Sequence, residues 1–187
     1  MPGWLTVICG PMFAGKSTAL IDLAERARQE GLRIIVLKPA RDDRYDVHRV
    51  VTHDGRSLDA LVVKDAESIT AALMAHPTKP RDRLFVAVDE AHFFGDALVA
   101  PVVELVLGGA AVVVAGVERD HKGRAFAPFP HLLIEADEVM KLHARCSKCG
   151  QKAVHSQRMI ADDSHIVVGG ADMYEARCRA CFQGGPG

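Results

Sequence analysis

The sequence lacks an excess of charge of either sign, because its 23 lysines and arginines nearly balance its 24 aspartates and glutamates. An almost neutral molecule has no overall electrostatic attraction for a nucleic-acid backbone or an anionic membrane. The chain also lacks an apolar run close to the roughly 20 residues that span a bilayer, and its first residues lack the features of a signal peptide. These absences predict a cytoplasmic protein with no membrane partner and no nucleic-acid partner.

Cysteine is scarce as well, with five in the chain. The cytosol keeps thiols reduced, so cysteines that occur there in pairs indicate a metal site rather than disulfides. The remaining composition is that of an ordinary globular protein, with 49% apolar and 25% charged residues. A length of 187 residues predicts one main domain with a small accessory unit.

Apolar runs and helical patterns alternate over the first two thirds of the chain. Runs typical of strands buried on both faces occur at residues 4–9, 33–38, 84–88 and 110–115. Helical patterns cover residues 17–30, 66–75 and 96–107, and Asp54-Gly55 indicates a hairpin within residues 50–63. The alternation predicts an α/β fold, a RecA-like P-loop parallel sheet with helices on both faces.

A glycine-rich loop joins the first predicted strand to the first predicted helix. Its sequence GPMFAGKS satisfies the pattern G-x-x-x-x-G-K-[ST] in the required context. Main-chain amides of such a loop surround phosphate oxygens, the lysine reaches the β and γ phosphates, and the serine ligates magnesium. The structural alternative is a turn that only caps the helix. The candidate phosphate-binding residues are Gly10, Pro11, Met12, Phe13, Ala14, Gly15, Lys16, Ser17 and Thr18.

Two adjacent acids follow the strand predicted at residues 84–88. Asp89 is placed to hold the magnesium shell, and Glu90 to act as a general base. Alternatively, Glu90 only caps the following turn. The string Asp89-Glu90-Ala91-His92 also spells the box of a helicase family, but those motors need two RecA-like lobes, and this chain has room for one.

Two Cys-x-x-Cys pairs lie near the C-terminus, in a region of basic residues and short turns. Cys146, Cys149, Cys178 and Cys181 have the arrangement of a four-thiolate structural zinc site. The insert between the pairs contains Gly169-Gly170, which lets the main chain approach a ligand closely, so the insert is a candidate lid.

Two alternatives to this interpretation of the C-terminal region remain. The insert can be an ordinary zinc-ribbon hairpin with no ligand. The segment 141–158 holds five basic residues and no acid, so a zinc-ribbon P-loop NTPase that binds nucleic acid is the alternative function, although a solvated basic face is the simpler explanation. The fifth cysteine, Cys9, is interpreted as a core residue of the first strand.

Taken together, these motifs resemble the zinc-containing thymidine kinases. The resemblance rests on GPMFAGKST, on the segment RDDRY at 41–45, on DEAHFF, and on VVGGADMYEARCR between the cysteine pairs, and it covers residues 6–182. It implies transfer of the γ-phosphoryl group of ATP to the 5′-hydroxyl of thymidine by a cytosolic homotetramer. The change to cysteines, basic residues and short turns from about Lys141, together with this resemblance, predicts three regions: residues 1–140 as the ATP-binding domain, 141–182 as a zinc-binding domain with a loop that covers the substrate, and 183–187 as a flexible tail.

The resemblance also assigns residues to roles. Lys16 and Ser17 would hold the phosphates and magnesium, Asp89 the metal shell, and Glu90 would accept the proton of the 5′-hydroxyl. Asp42 and Arg44 would form a polar pair near the phosphates. The thymine pocket would be formed by Met12, Phe93 and Tyr174, with main-chain groups of Val168, Gly169, Gly170, Ala171 and Asp172 at the edge of the base.

Two positions depart from the family pattern. His121 stands where a phenylalanine usually packs on the base, and His143 stands where a threonine near the thymine methyl group is common. A histidine ring can still stack on a base. The resemblance therefore leaves open the preference among thymidine, deoxyuridine and their analogues.

Overall fold

The computed structural model of the chain describes residues 3–42, 48–52, 55–76, 83–161, 164 and 166–184. Arg44 and Asp54, both used in the sequence interpretation, lie outside these residues. Twelve strands lie in the part of the chain that the structure describes, and six of the first eight have the long apolar runs or the hairpin pattern expected. They are β1 (Trp4–Cys9), β2 (Arg33–Pro39), β3 (Arg49–Val51), β4 (Ser57–Asp59), β5 (Leu61–Val63), β6 (Leu84–Val88), β7 (Ala111–Gly116), β8 (Glu138–Lys141), β9 (Ala144–Arg145), β10 (Lys152–Ala153), β11 (His155–Arg158) and β12 (Tyr174–Arg177).

Six of the strands form one parallel sheet in the order β5-β2-β6-β7-β1-β8. Alternate residues of the central strands enter two separate apolar clusters, so both faces of the sheet are buried. One face packs against α1 (Lys16–Gln29); the other packs against α2 (Glu67–Met74), α3 (Val99–Leu107) and α4 (Phe129–Glu135). The predicted α/β class, with helices on both faces, is confirmed.

The helix predicted at residues 96–107 begins differently in the structure. A 3-10 helix covers Ala91–Leu98, and α3 follows it directly. Within the 3-10 helix, Gly95 has φ 61° and ψ −163°, a non-helical conformation that divides this helix at a kink. An apolar pattern with a period of three to four residues fits a 3-10 turn and an α-helix alike, so the sequence pattern did not separate them.

Two short strands of the main sheet and one short helix that packs on it were not indicated by a clear sequence pattern. Strand β5 pairs with β2, and β8 pairs with β1 at the sheet edge, where its four residues are largely exposed. Helix α4 has only seven residues. Because β8 ends at Lys141, the main sheet extends one residue past the expected boundary between residues 140 and 141.

The C-terminal region consists of two short antiparallel pairs, β9 with β10 and β11 with β12. A small apolar cluster of alanines and cysteines connects them, and Ala14 of the glycine-rich loop packs against it. The main-chain N–H of Gln183, in the predicted tail, donates to the side-chain oxygen of Gln157 at 2.8 Å. No helix among the described residues is both long and apolar enough to cross a membrane.

Cys9 is fully buried at the end of β1, as predicted for a core residue. Burial, with the negative charge of Glu118 as a smaller cause, raises the pKa of its thiol to about 11. The Cys9 thiol is therefore neutral and unreactive at physiological pH.

Candidate functional site

The glycine-rich loop turns from β1 into α1 with the geometry of a phosphate cradle. Gly15 has φ 80°, a left-handed conformation that favours glycine, and a Cβ atom on Gly10 would lie 2.6 Å from the main-chain oxygen of Leu142. The ammonium of Lys16 is buried and donates to the main-chain oxygen of Pro11 at 2.8 Å. The loop thus holds its cation over its own backbone, at the N-terminus of a helix that has no side-chain cap.

Asp89 lies at the end of β6 and is 5% exposed. The hydroxyl of Ser17 donates to its Oδ2 at 3.0 Å, and the main-chain N–H of Glu90 donates to its Oδ1 at 3.0 Å. Burial and the neighbouring charge of Glu90 raise the pKa of Asp89 to about 7 despite these hydrogen bonds. The serine and aspartate that the motifs assign to one cation are therefore brought into contact.

Glu90 has a strained main chain, with φ 49° and ψ 43°. A non-glycine residue in the left-handed region carries a cost that proteins tend to retain at functional sites. Its Oε2 lies 3.5 Å from Nδ1 of the buried His92. Glu90 lies where two cavities meet.

The first of these cavities, here called the phosphate-loop cavity, contains most of the residues predicted to bind phosphate. Its wall combines the glycine-rich loop, the ends of β2 and β6, and the strand β3. It is lined by Met12, Phe13, Gly15, Lys16, Ser17, Thr18, Lys38, Asp42, Arg49, Val50, Val51, Thr52, Asp89, Glu90 and Gly170.

The second, here called the C-terminal cavity, lies against the β11–β12 hairpin and contains most of the residues predicted to surround a base. It is lined by Met12, Glu90, His92, Phe93, Val117, Arg119, Asp120, His121, Phe126, Ser156, Arg158, Ile166, Val167, Val168, Gly169 and Tyr174. Met12 and Glu90 line both cavities, so the two meet at these residues.

Some predicted site residues lie elsewhere. Gly170 lines the phosphate-loop cavity instead of the C-terminal one, and Ala171 and Asp172 are exposed and line neither. His143 is also exposed and lines neither cavity. Gly10, Pro11 and Ala14 shape the loop without lining a cavity.

The sequence interpretation did not include Lys38, Ser156 or Arg158 in the site. Lys38 is buried at the end of β2, and its ammonium lies 3.7 Å from Oδ2 of Asp42. Lys38 could have been identified as a candidate site residue, because it is a basic residue at the end of a strand predicted to be buried. Ser156 accepts a hydrogen bond from the main-chain N–H of Met12 at 2.9 Å, a contact between residues 144 positions apart that no local pattern predicts.

The four predicted cysteines converge. The sulfur atoms of Cys146, Cys149, Cys178 and Cys181 all lie within 4.8 Å of one another, an arrangement that could hold a metal ion. Burial acts to raise the pKa of Cys146, but main-chain N–H groups of Cys178 and Cys149 outweigh it and lower the pKa to about 6. A thiol that ionises readily is suited to metal binding.

The basic segment 141–158 does not form a free basic face. Lys141 lies 3.3 Å from the buried carboxylate of Glu118, and Arg158 is 8% exposed. Of its five cations, Arg158 is buried and Lys141, whose side chain is 45% exposed, is paired with an acid, which weakens the case for a nucleic-acid surface.

Comparison with known proteins identifies the same family in each case. The family model described as thymidine kinase matches residues 3–182. The chain is 42% identical over 181 residues to a thymidine kinase of Rhodothermus sp. (strain ITI 518), covering 97% of this chain and 82% of that protein. It is 44% identical over 182 residues to a thymidine kinase of Coprothermobacter proteolyticus, covering 94% and 88%. It is 40% identical over 181 residues to one of Bdellovibrio bacteriovorus, covering 97% and 86%. The chain belongs to the thymidine kinase family.

Proposed function

We propose that this protein transfers the γ-phosphoryl group of ATP to the 5′-hydroxyl of thymidine. ATP occupies the phosphate-loop cavity and thymidine the C-terminal cavity. The observation that carries this assignment is the position of Glu90, a residue that lines both cavities. A group at that junction reaches the hydroxyl that attacks and lies beside the phosphate that is attacked.

The donor side holds and neutralises the phosphates. The amides of residues 10–17 and the ammonium of Lys16 bind the phosphate oxygens, and Asp42 with Arg44 flanks them. Ser17 and Asp89 would hold the magnesium that accompanies ATP, which would supply positive charge to stabilise the transferring phosphoryl group. Both residues fit that ion, because the hydroxyl of Ser17 and a carboxylate oxygen of Asp89 are 3.0 Å apart and both residues line the phosphate-loop cavity.

Glu90 accepts the proton of the 5′-hydroxyl as the oxygen attacks the γ-phosphorus. The phosphoryl group moves to that oxygen, and ADP leaves with the bridging oxygen. The base stacks against Phe93, His121 and Tyr174, while main-chain groups of Val168 and Gly169 border it. Enclosure by the insert between the cysteine pairs excludes water, which otherwise competes with the nucleoside for the γ-phosphate.

The cysteine cluster holds a structural zinc ion. Bonds of about 2.3 Å to a tetrahedral zinc place sulfur atoms roughly 3.8 Å apart, and the sulfurs of Cys149 and Cys178 are 3.5 Å apart. We also propose a cytoplasmic homotetramer without nucleic-acid or membrane partners, on the family resemblance and the near balance of charge.

Substitution of Glu90 tests the proposal. Glu90→Gln should retain ATP affinity within about twofold and lower the rate of thymidine phosphorylation by roughly 100-fold, the usual effect of a positioned general base. Binding of a fluorescent ATP analogue and a coupled assay with a panel of nucleosides measure the two quantities. Glu104→Gln, an exposed glutamate on α3, is the matched control and should behave as wild type. Unchanged turnover in Glu90→Gln would remove Glu90 from this role.

The same assays test the alternative, a zinc-ribbon NTPase that binds nucleic acid. ATP hydrolysis stimulated by DNA, salt-sensitive DNA binding and no nucleoside phosphorylation would together support that alternative and overturn the kinase assignment.

A further inference from the structure

Arg158 and Tyr174 face each other where the insert leaves and rejoins the β11–β12 hairpin. The two residues are cross-strand partners at the last position of β11 and the first of β12. Both side chains are buried, with 8% and 7% of the residue exposed, and both line the C-terminal cavity. The described insert residues between them, 159–161, 164 and 166–173, contain no helix or strand.

The side chains of this pair bind the main chain of the insert at two points. Nε of Arg158 donates to the hydroxyl of Tyr174 at 3.2 Å, and that hydroxyl donates to the main-chain oxygen of Val167 at 2.9 Å. Nη1 of Arg158 donates to the main-chain oxygen of Ser164 at 2.6 Å. The guanidinium also lies 5.6 Å from the centre of the Tyr174 ring.

These contacts depend on the chemistry of arginine. A buried cation is costly unless acceptors replace the water that it loses. The carbonyl groups of the insert provide part of that replacement, so the burial of Arg158 and the position of the insert depend on each other. Lysine donates from a single nitrogen and has no planar fork, so it cannot reproduce the two separate donor positions, Nε and Nη1, or the packing of a guanidinium on an aromatic ring.

We propose that Arg158, acting with Tyr174, is a positioning residue that holds the insert as a wall of the C-terminal cavity. Ile166, Val167, Val168 and Gly169 form that wall, and Val167 is bound directly by the pair. Arg158 thereby sets the affinity for the nucleoside, whereas the phosphate-loop cavity, which Arg158 does not line and to which the insert contributes only Gly170, should change much less. This inference rests on the proposed placement of thymidine in the C-terminal cavity.

Steady-state kinetics of Arg158→Ala and Arg158→Lys test it. Hydrogen bonds from a charged donor are strong enough that their loss should raise the KM for thymidine by about tenfold or more. The KM for ATP should stay within about twofold, and kcat should change less than the thymidine KM. Arg158→Lys should fall between wild type and Arg158→Ala, because it retains the charge and one donor nitrogen.

Hydrogen–deuterium exchange provides a readout that does not depend on substrate. Amides of the insert, residues 164–173, should exchange about tenfold faster in Arg158→Ala, while those of α1 and the main sheet remain unchanged. Arg177→Ala is the matched control: Arg177 lies on the same hairpin, its guanidinium contacts Glu175, and it lines neither cavity. It should leave the thymidine KM and the exchange of the insert as in wild type.

An unchanged thymidine KM, an unchanged exchange rate of the insert, or an equal rise in the KM values of ATP and thymidine would overturn the inference. Metal content and thermal unfolding report whether Arg158→Ala folds. If it does not, Tyr174→Phe serves instead; it keeps the ring but removes both hydroxyl contacts, and should change exchange and KM in the same direction. Wild-type protein that phosphorylates no nucleoside would refute the proposed function, whereas the exchange data would still test the contacts of Arg158.

Discussion

The phosphate-loop cavity and the C-terminal cavity share Met12 and Glu90 but are built by different means. The phosphate-loop cavity consists largely of one continuous loop and the ends of buried parallel strands, which the main-chain hydrogen bonds of the sheet hold in place. The C-terminal cavity is assembled from segments distant in the sequence, and side-chain hydrogen bonds and a cysteine cluster hold its outer wall. The main core therefore supports the phosphate-loop cavity, whereas local side-chain contacts and the cysteine cluster support the C-terminal cavity.

This difference indicates how the two cavities respond to damage. The apolar clusters on both faces of the sheet support the phosphate-loop cavity, so loss of a single outer contact should change it little. The outer wall of the C-terminal cavity rests on a cluster of only five buried residues, too few to be stable alone. Perturbations of the C-terminal region should therefore affect the nucleoside more than ATP.

The largest expected effect comes from the cysteine cluster. Cys178→Ser removes one metal ligand next to β12, and should lower thymidine phosphorylation by about 100-fold or more while ATP affinity falls by less than about tenfold. Metal analysis, nucleotide binding and the kinase assay measure the three quantities. Cys9→Ala, which removes the cysteine outside the cluster, should retain the metal. Equal losses for both substrates would contradict the separation of the two cavities.

Asp89 provides a test that is specific to the phosphate-loop cavity. Its pKa is about 7 in the folded protein and 3.8 in the unfolded chain, mainly because burial disfavours the charged form. The folded state therefore binds more protons between these values, and the free energy of unfolding should fall by on the order of a few kcal/mol as pH rises from about 4 to about 7.

Denaturant unfolding measured without nucleotide or added metal tests this pH dependence. Asp89→Asn removes the titrating group and should flatten the slope. Asp59→Asn, at a highly exposed carboxylate on β4, should leave the slope unchanged. The same slope in wild type and Asp89→Asn would show that another group is responsible.

Ser156 joins the two cavities and should give the smallest effect. Its hydroxyl accepts the main-chain N–H of Met12, a residue that lines both cavities. A neutral hydrogen bond of this kind contributes about 1 kcal/mol, so Ser156→Ala should raise the KM values of both ATP and thymidine by roughly fivefold. Ser156→Thr retains the hydroxyl and should stay closer to wild type. A change in only one KM would show that this contact does not couple the cavities.

The central strands could be predicted from the sequence because each is buried on both faces and therefore appears as a continuous apolar run. The edge strand β8 could not, since only its pairing with β1 makes its four largely exposed residues a strand. The 3-10 helix at Ala91–Leu98 has the same apolar spacing as an α-helix, and that spacing does not show the kink at Gly95 within it. Among the site residues, Lys38 was weakly indicated by its position as a basic residue at the end of a buried strand. Nothing in the sequence pattern indicated that Ser156 and Arg158 belong to the site.

The sequence by itself determined the phosphate loop and the four-cysteine cluster, because each is specified by a few closely spaced residues whose chemistry permits little else. Only the tertiary structure decided that Glu90 stands between two cavities and that the insert packs beside it through Arg158 and Tyr174. Those relations join residues far apart in the chain, and the free energy that holds them comes from burial and from hydrogen bonds that exist only after folding.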